Sequence, residues 1–207
     1  MVRRISSIRQ FLILAAAALL LLPAAPQAVA GEPTEQVRKT VDALIAILND
    51  RDLKKPEKKN ERRAKLRKTI RENFNFDEMA KRSLGLHWKN RTPEEQKEFV
   101  GLYTELLENT YFRRIERYEG EKVMYLDEKT DMSYALVKTQ VIAPDKPAIP
   151  IDYRIIKKET GWSIYDITIE GVSLVNNYRT QFNSIIRNNS YEELVNRIKK
   201  KSIQDPV

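Results

Sequence analysis

The spacing of apolar residues changes twice along this chain, and those two changes constrain the fold more than any other feature. Between Gly31 and Gly120 apolar side chains recur every three or four residues, the period of a helix with one inward face. From Lys122 to Ile169 they alternate with polar ones, the period of a strand, and from Leu174 the helical period returns. Helices gathered before and after a run of strands predict an α+β fold: a four-stranded antiparallel sheet packed against several helices.

Each helical stretch carries its own signals. From Thr34 to Asp50, Val37, Val41, Leu44, Ile45 and Leu48 share one face. Lys54 to Arg71 holds ten basic residues and two glutamates, with only Leu66 and Ile70, continued by Phe74, as a thin apolar stripe; a charged helix with a solvated outer face fits. Phe76 to Leu84 reads as a short helix stopped by Gly85. Thr92-Pro93-Glu94-Glu95 combines an N-cap, a first-turn proline and a capping-box glutamate, so a helix of about six or seven turns starts there. Its inward face includes Phe99, Leu102, Tyr103, Leu106 and Tyr111, and Gly120 closes the segment.

Four strands are expected at Lys122 to Asp127, Ser133 to Ile142, Ile149 to Lys157 and Trp162 to Ile169. The connections are short: a polar one from Glu128 to Met132, a proline-containing one from Ala143 to Ala148, and Lys158 to Gly161. An antiparallel meander is the economical topology. Leu174, Val175, Tyr178, Phe182, Ile185 and Ile186 mark one side of the next helix, and Tyr191 to Lys201 forms the last.

The first thirty residues have a different character. Arg3, Arg4 and Arg9 precede Phe11 to Leu22, twelve residues without a polar side chain, and Pro23 and Pro26 interrupt the run before it reaches the roughly 20 residues that span a bilayer. Ala28-Val29-Ala30 supplies the small-x-small pattern of a signal-peptidase site. Residues 1–30 are therefore expected to be a cleaved signal peptide and residues 31–207 a single soluble domain in the periplasm, without a lipid anchor because the chain has no cysteine. Removing three of the 37 basic residues and none of the 29 acidic ones leaves a net charge of 34 − 29 = +5, which does not point to nucleic acid.

Chemistry is sparse. Without cysteine there are no disulfides, thiolates or sulfur ligands, and His87 is the only histidine, with no evident partner for nucleophilic catalysis or zinc. Asp127 and Asp131 suggest a calcium loop, but Met132 and Lys138 stand where an EF-hand needs Gly and Glu. Asp166 reads as a buried carboxylate paired structurally with Arg154 or Arg179. No P-loop, G-x-G-x-x-G or G-x-S-x-G is present, so no enzyme and no cofactor is expected. Tyrosines, Ile and Val on strands facing long helices suit an ordinary core or a pocket wall equally, since both use the same residue types.

The segment from Gly161 to Phe182, Gly-Trp-Ser-Ile-Tyr-Asp-Ile-Thr-Ile-Glu-Gly-Val-Ser-Leu-Val-Asn-Asn-Tyr-Arg-Thr-Gln-Phe, resembles the most distinctive stretch of the MlaC-type, or toluene-tolerance, periplasmic phospholipid-binding proteins. Phe74 to Ala80 followed by Leu84-Gly85 and Trp88, and Thr92 to Gln96 leading into Phe99, resemble the same family. The resemblance spans nearly all of residues 33 to 200 and implies a carrier that encloses phospholipid acyl chains in an apolar pocket between sheet and helices. Such carriers pass lipid between an outer-membrane lipoprotein complex and an inner-membrane ABC transporter complex, with transient contact at membrane surfaces. By resemblance the pocket is lined by Val172, Leu174, Tyr178 and Phe182, by Val137, Val141, Ile151 and Tyr153 from strands, and by Leu102, Leu106 and Tyr111 from a helix; Arg179 fixes the fold or docks a partner. A related carrier of another lipid, such as a hopanoid, and a ligand-free periplasmic adaptor are the alternatives.

Overall fold

The computed structural model describes residues 31–144 and 146–201, so the expected signal peptide lies outside the described residues. Helix α1 (Glu32–Asn49) is followed by a short 3-10 turn and then by α2 (Lys59–Asn73), α3 (Phe76–Leu84) and α4 (Pro93–Ile115). The strands β1 (Lys122–Asp131), β2 (Tyr134–Ile142), β3 (Ile149–Lys158), β4 (Gly161–Ile169) and β5 (Val172–Ser173) come next, and α5 (Leu174–Asn188) and α6 (Tyr191–Lys199) complete the chain. No described helix is long and apolar enough to cross a membrane.

Caps set most of these boundaries. Asn75 accepts from the backbone N–H of Glu78 at 3.1 Å to start α3, and Gly85 ends it at φ 59°. The Thr92 hydroxyl accepts from the Glu95 N–H at 3.2 Å while the Glu95 carboxylate accepts from the Thr92 N–H at 2.8 Å, a complete capping box at the head of α4. Ser173 and Ser190 cap α5 and α6 with their hydroxyls alone, accepting from the N–H of Asn176 at 3.0 Å and of Glu193 at 3.2 Å. Helix α4 stops at Ile115, five residues before the glycine expected to close it.

The sheet is antiparallel in the order β1-β2-β3-β4-β5, with five strands rather than the expected four. The additional strand is two residues long and pairs Val172 with Ile169 through a tight turn in which Glu170 (φ 49°) and Gly171 (φ 83°) both take positive φ. Strand β1 also outruns its expected end: Glu128 to Asp131 pair with Val137 to Tyr134, so the turn shrinks to Met132 and Ser133. These residues are polar because β1 is an edge strand, where charge discourages pairing with another chain. Glu128 has a further role, accepting from the Thr34 N–H at 2.8 Å and hydroxyl at 2.6 Å and so fastening the first turn of α1 to the sheet edge.

Three apolar clusters result. On one sheet face Val37 of α1 covers Ala135, Val137, Tyr153, Ile155, Trp162 and Ile164. Helices α3 to α6 enclose a second cluster around Phe99, Tyr103, Tyr178 and Phe182, joined by Tyr165 from β4. Leu48, Leu66, Ile70 and Phe112 form the third, where α1, α2 and α4 meet. Phe74 packs against all three. It is held there by the Asn75 N–H, which donates to the Ile164 carbonyl at 2.7 Å and ties the α2–α3 connection to β4.

Candidate binding crevice

Around Phe74 the packing leaves an apolar crevice of about 90 Å³. Its wall comes from Ile70 of α2, Phe74, Phe76 and Met79 of α3, Leu107, Tyr111, Phe112 and Ile115 of α4, Ile167 of β4 and Leu174 at the start of α5. Glu108 is the one charged side chain among them. The crevice exists because α4 serves two interiors. Phe99, Tyr103 and Leu106 enter the cluster of α3, α5 and α6, whereas Phe112 and Ile115 turn toward α1 and α2. Apolar residues therefore spread around much of α4 rather than forming one stripe.

Ion pairs close the crevice on its α2–α4 side. The Glu108 carboxylate, 8% exposed, accepts from Nε of both Arg67 and Arg71 at 2.8 Å. Eight residues further on, at the C-cap of α4, Glu116 accepts from Arg63 through Nε at 2.9 Å and Nη2 at 2.6 Å, with Arg62 Nη2 at 3.5 Å. The hydrogen bonds from Arg63 hold the Glu116 carboxyl below the usual carboxylate range. The basic helix is thus not a simple solvated face: two glutamates of α4 fasten four of its arginines, a pairing across 37 to 54 sequence positions that periodicity does not register.

The residues assigned by resemblance divide among several places. Tyr111 and Leu174 line the crevice. Val137, Tyr153 and the crevice residue Ile167 stand opposite one another across β2, β3 and β4, and Val141 and Ile151 share their face. These strand residues continue the sheet wall away from the crevice, Val137 and Tyr153 lying buried beneath α1. Tyr178 and Phe182 are elsewhere, fully buried in the helical cluster, with Tyr178 edge-on to Tyr103 at 5.6 Å and Phe182 edge-on to Phe99 at 5.8 Å. Burial drives the Tyr103 hydroxyl well above the usual phenol range, and it accepts from Ser83 at 2.8 Å. Leu102 and Leu106 border a separate cleft between α4 and α6 with Arg113, Arg117 and Ile198, and Val172 is half-buried on β5 near Asn177 and Gln181.

Eight apolar wall residues lie outside the set that the resemblance assigns to the pocket, Ile70, Phe74, Phe76, Met79, Leu107, Phe112, Ile115 and Ile167, although Ile70 and Phe74 belong to the apolar stripe read from the basic segment. The helical series Ile70–Phe74 and Leu107–Tyr111–Ile115, each stepping by four, was the available signal for a second inward face.

Asp166 and His87 are not among the residues that line the crevice. Asp166, 5% exposed, accepts from the Ser173 hydroxyl at 2.6 Å and the Val175 N–H at 3.1 Å, with Arg154 Nε at 3.8 Å. It thereby joins β4 to the first turn of α5, and burial raises its pKa despite those bonds. Arg154 is its ionic neighbour, whereas Arg179 lies against Gly85. His87 Nε2 is 3.0 Å from Asn183 Oδ1 at the surface. Among the described residues no group of three or more His, Cys, Asp or Glu could hold a metal.

Together the fold and the crevice define a class: an α+β domain whose sheet and helices close around an apolar cleft. The chain belongs to the MlaC family, whose model, described as MlaC protein, matches residues 38–200. It is 20% identical over 177 residues to the intermembrane phospholipid transport system binding protein MlaC of Haemophilus influenzae, an alignment covering 83% of each chain. Its fold is similar to that of a phospholipid-binding protein from Ralstonia solanacearum solved in complex with a phospholipid, with a TM-score of 0.71 and 24% identity over 82% of this chain and 96% of that one.

Proposed function

We propose that this chain is a periplasmic phospholipid carrier, exported by cleavage after Ala30 as a single domain, that holds acyl chains against the crevice and passes lipid between an outer-membrane lipoprotein complex and an inner-membrane ABC transporter complex. The observation that carries the reading is the crevice itself, whose wall is apolar apart from Glu108 and which is built from both the sheet and the helices of an MlaC-family fold. Two acyl chains of about 15 methylenes each represent on the order of 20 kcal/mol of transfer free energy at about 0.8 kcal/mol per CH₂, so lipid does not cross water unaided at a useful rate.

A crevice of about 90 Å³ is small beside the roughly 300–1,000 Å³ of pockets for drug-sized ligands. Taking up a lipid therefore requires α2 and α4 to separate from each other and from the sheet. The row Val137–Tyr153–Ile167, with Val141 and Ile151 beside it, then becomes the sheet wall of the widened pocket, facing Tyr111 and Leu174. Release needs a partner that stabilises the widened form or offers another apolar surface, since a change of state follows only from a difference in affinity between the two states.

The test is direct. The chain, expressed with its own leader in a bacterial host, is purified, denatured and extracted with organic solvent, and the extract is analysed by mass spectrometry. Stoichiometric phospholipid is expected. Its absence, together with no uptake from liposomes, would overturn the proposal, and a stoichiometric lipid of another kind would reassign the ligand.

A further inference from the structure

Two arginines at the edge of the crevice are attached in an unusual way. Arg63 closes a two-nitrogen fork on Glu116, through Nε at 2.9 Å and Nη2 at 2.6 Å, as an arginine does when its task is to hold two helices together. Arg67 and Arg71, one turn apart on α2, instead share the Glu108 carboxylate, and each reaches it through Nε at 2.8 Å. Their side chains are 44% and 51% exposed, and among the described residues their Nη groups make no hydrogen bond. Since a guanidinium carries five N–H donors and its Nε–H is the one spent on Glu108, each of these arginines keeps the end-on fork made by its two Nη groups. The guanidinium of Arg67 also lies over the Phe112 ring, 5.4 Å from its centroid, and both Phe112 and Glu108 line the crevice. Two oriented cationic forks, preset by one buried carboxylate, therefore border an apolar cleft.

We propose that Arg67 and Arg71 form a phosphate site at the rim of the crevice, which takes the phosphodiester of a lipid whose acyl chains enter it. The site rests on the carrier reading and adds to it a residue-level means of telling a phospholipid from an uncharged diacyl lipid. The chemistry fits: a phosphodiester offers two equivalent anionic oxygens, which arginine forks bind with charge-assisted, paired hydrogen bonds. Glu108 holds both guanidinium groups at the rim of the closed crevice, and as α2 and α4 part to admit the acyl chains the phosphate replaces that carboxylate as the acceptor of their hydrogen bonds, so the two charges are not left unpaired. The sugar, amine or glycerol beyond the phosphate meets no further part of the site, so selection acts on the phosphate and not on the rest of the head group.

The experiment offers the chain vesicles of phosphatidylglycerol carrying a minority of diacylglycerol with the same acyl chains, and measures the ratio of the two lipids recovered on the protein. Wild type should favour phosphatidylglycerol, and R67Q/R71Q should lower that ratio about tenfold, roughly threefold for each half-exposed charged pair. Total diacyl lipid bound should change little, and Lys68→Gln, on the same helix but 75% exposed and directed to Glu72, should leave the ratio unaltered. Because removing both arginines strands a buried carboxylate, R67Q/R71Q/E108Q is the companion that removes the stranded charge as well. Repeating uptake with millimolar inorganic phosphate separates the sources: a fall in the ratio assigns a site open to any phosphate, and no change assigns one that needs the lipid-borne group. A ratio unchanged in both the double and the triple variant overturns the phosphate site while leaving the carrier standing. Wild type that takes up neither lipid overturns the carrier reading and the site with it.

Discussion

Asp166, which the sequence suggests is a buried carboxylate in a structural ion pair, is held mainly by hydrogen bonds, with Arg154 at 3.8 Å. Its two oxygens are engaged by Ser173 and Val175, which fixes where β4 hands over to α5, and burial raises its pKa. For a group whose folded pKa lies above its unfolded one, the stability contribution is complete below the unfolded pKa and is lost as pH rises through the folded value. Wild type should therefore gain stability relative to Asp166→Asn as the pH is lowered from neutrality toward the ordinary aspartate value of 3.8. Urea midpoints of the two proteins across that range test this, and a difference that stays constant with pH would mean that burial does not perturb the group. A second comparison separates the crevice from the helical core. Ile115→Trp should narrow the crevice and reduce lipid occupancy severalfold, whereas Leu106→Trp, where the helical cluster borders the separate cleft between α4 and α6, should leave occupancy largely intact and cost at most about 1–3 kcal/mol through overpacking. Bound lipid per chain and urea stability, measured on both variants, decide between these assignments; equal occupancy loss would place Leu106 in the lipid pocket after all.

At the level of elements, the ion pairs between α2 and α4 are the contacts with the sharpest consequences. Glu108→Gln removes the charge on which Arg67 and Arg71 converge and should destabilise the fold by about 1–2 kcal/mol, a modest figure because both arginines are about half exposed. A urea midpoint equal to wild type would show that these pairs do not hold the helices together. This pairing also marks the limit of what the sequence discloses. Thr92, Glu95 and Gly85 announce their helix ends because caps act within three or four residues, and the alternation from Lys122 to Ile169 announces a sheet for the same local reason. Glu108 and Arg67 are 41 positions apart, and no local rule joins them. Likewise β5 is too short for alternation to register, and Glu128 to Asp131 look like a loop because an edge strand is polar. Period two disclosed the strands but not which of their residues face a pocket, an assignment that came only from the family resemblance, and α4 was read with a single inward stripe. Its second face, carrying Leu107, Phe112 and Ile115, was left out, while Tyr178 and Phe182, which look like pocket residues by type, fill a closed core.

For the molecule as a whole, the decisive feature is that its two interiors differ in how they can open. The cluster of α3 to α6 is a stack of aromatic rings in edge-to-face contact, with Phe99, Tyr103, Tyr178 and Phe182 fully buried, and separating these helices would expose all four at once. The crevice side has a smaller buried cluster with a single aromatic ring, Leu48, Leu66, Ile70 and Phe112, flanked by the half-buried side chains Leu44, Ile47, Ile115 and Tyr118 and by ion pairs with half-exposed arginines. Widening should therefore occur where α2 meets α4, while α5 remains with the rest of the helical core. Hydrogen exchange compares the two directly: removing lipid should deprotect amides of α2 and of the Leu107–Ile115 part of α4, and leave those around Tyr178 and Phe182 protected, because local opening costs less than disrupting the core. Lipid at about a hundredfold over its Kd should also add about 2.7 kcal/mol to stability, raising Tm by roughly 5–11 °C. If α5 loses protection together with α2, the chain opens as one body, and the division between a rigid aromatic core and a yielding crevice fails. If α2 and that part of α4 respond while α5 does not, the crevice opens where these two helices meet, and on the carrier proposal they are the elements that must move to release lipid.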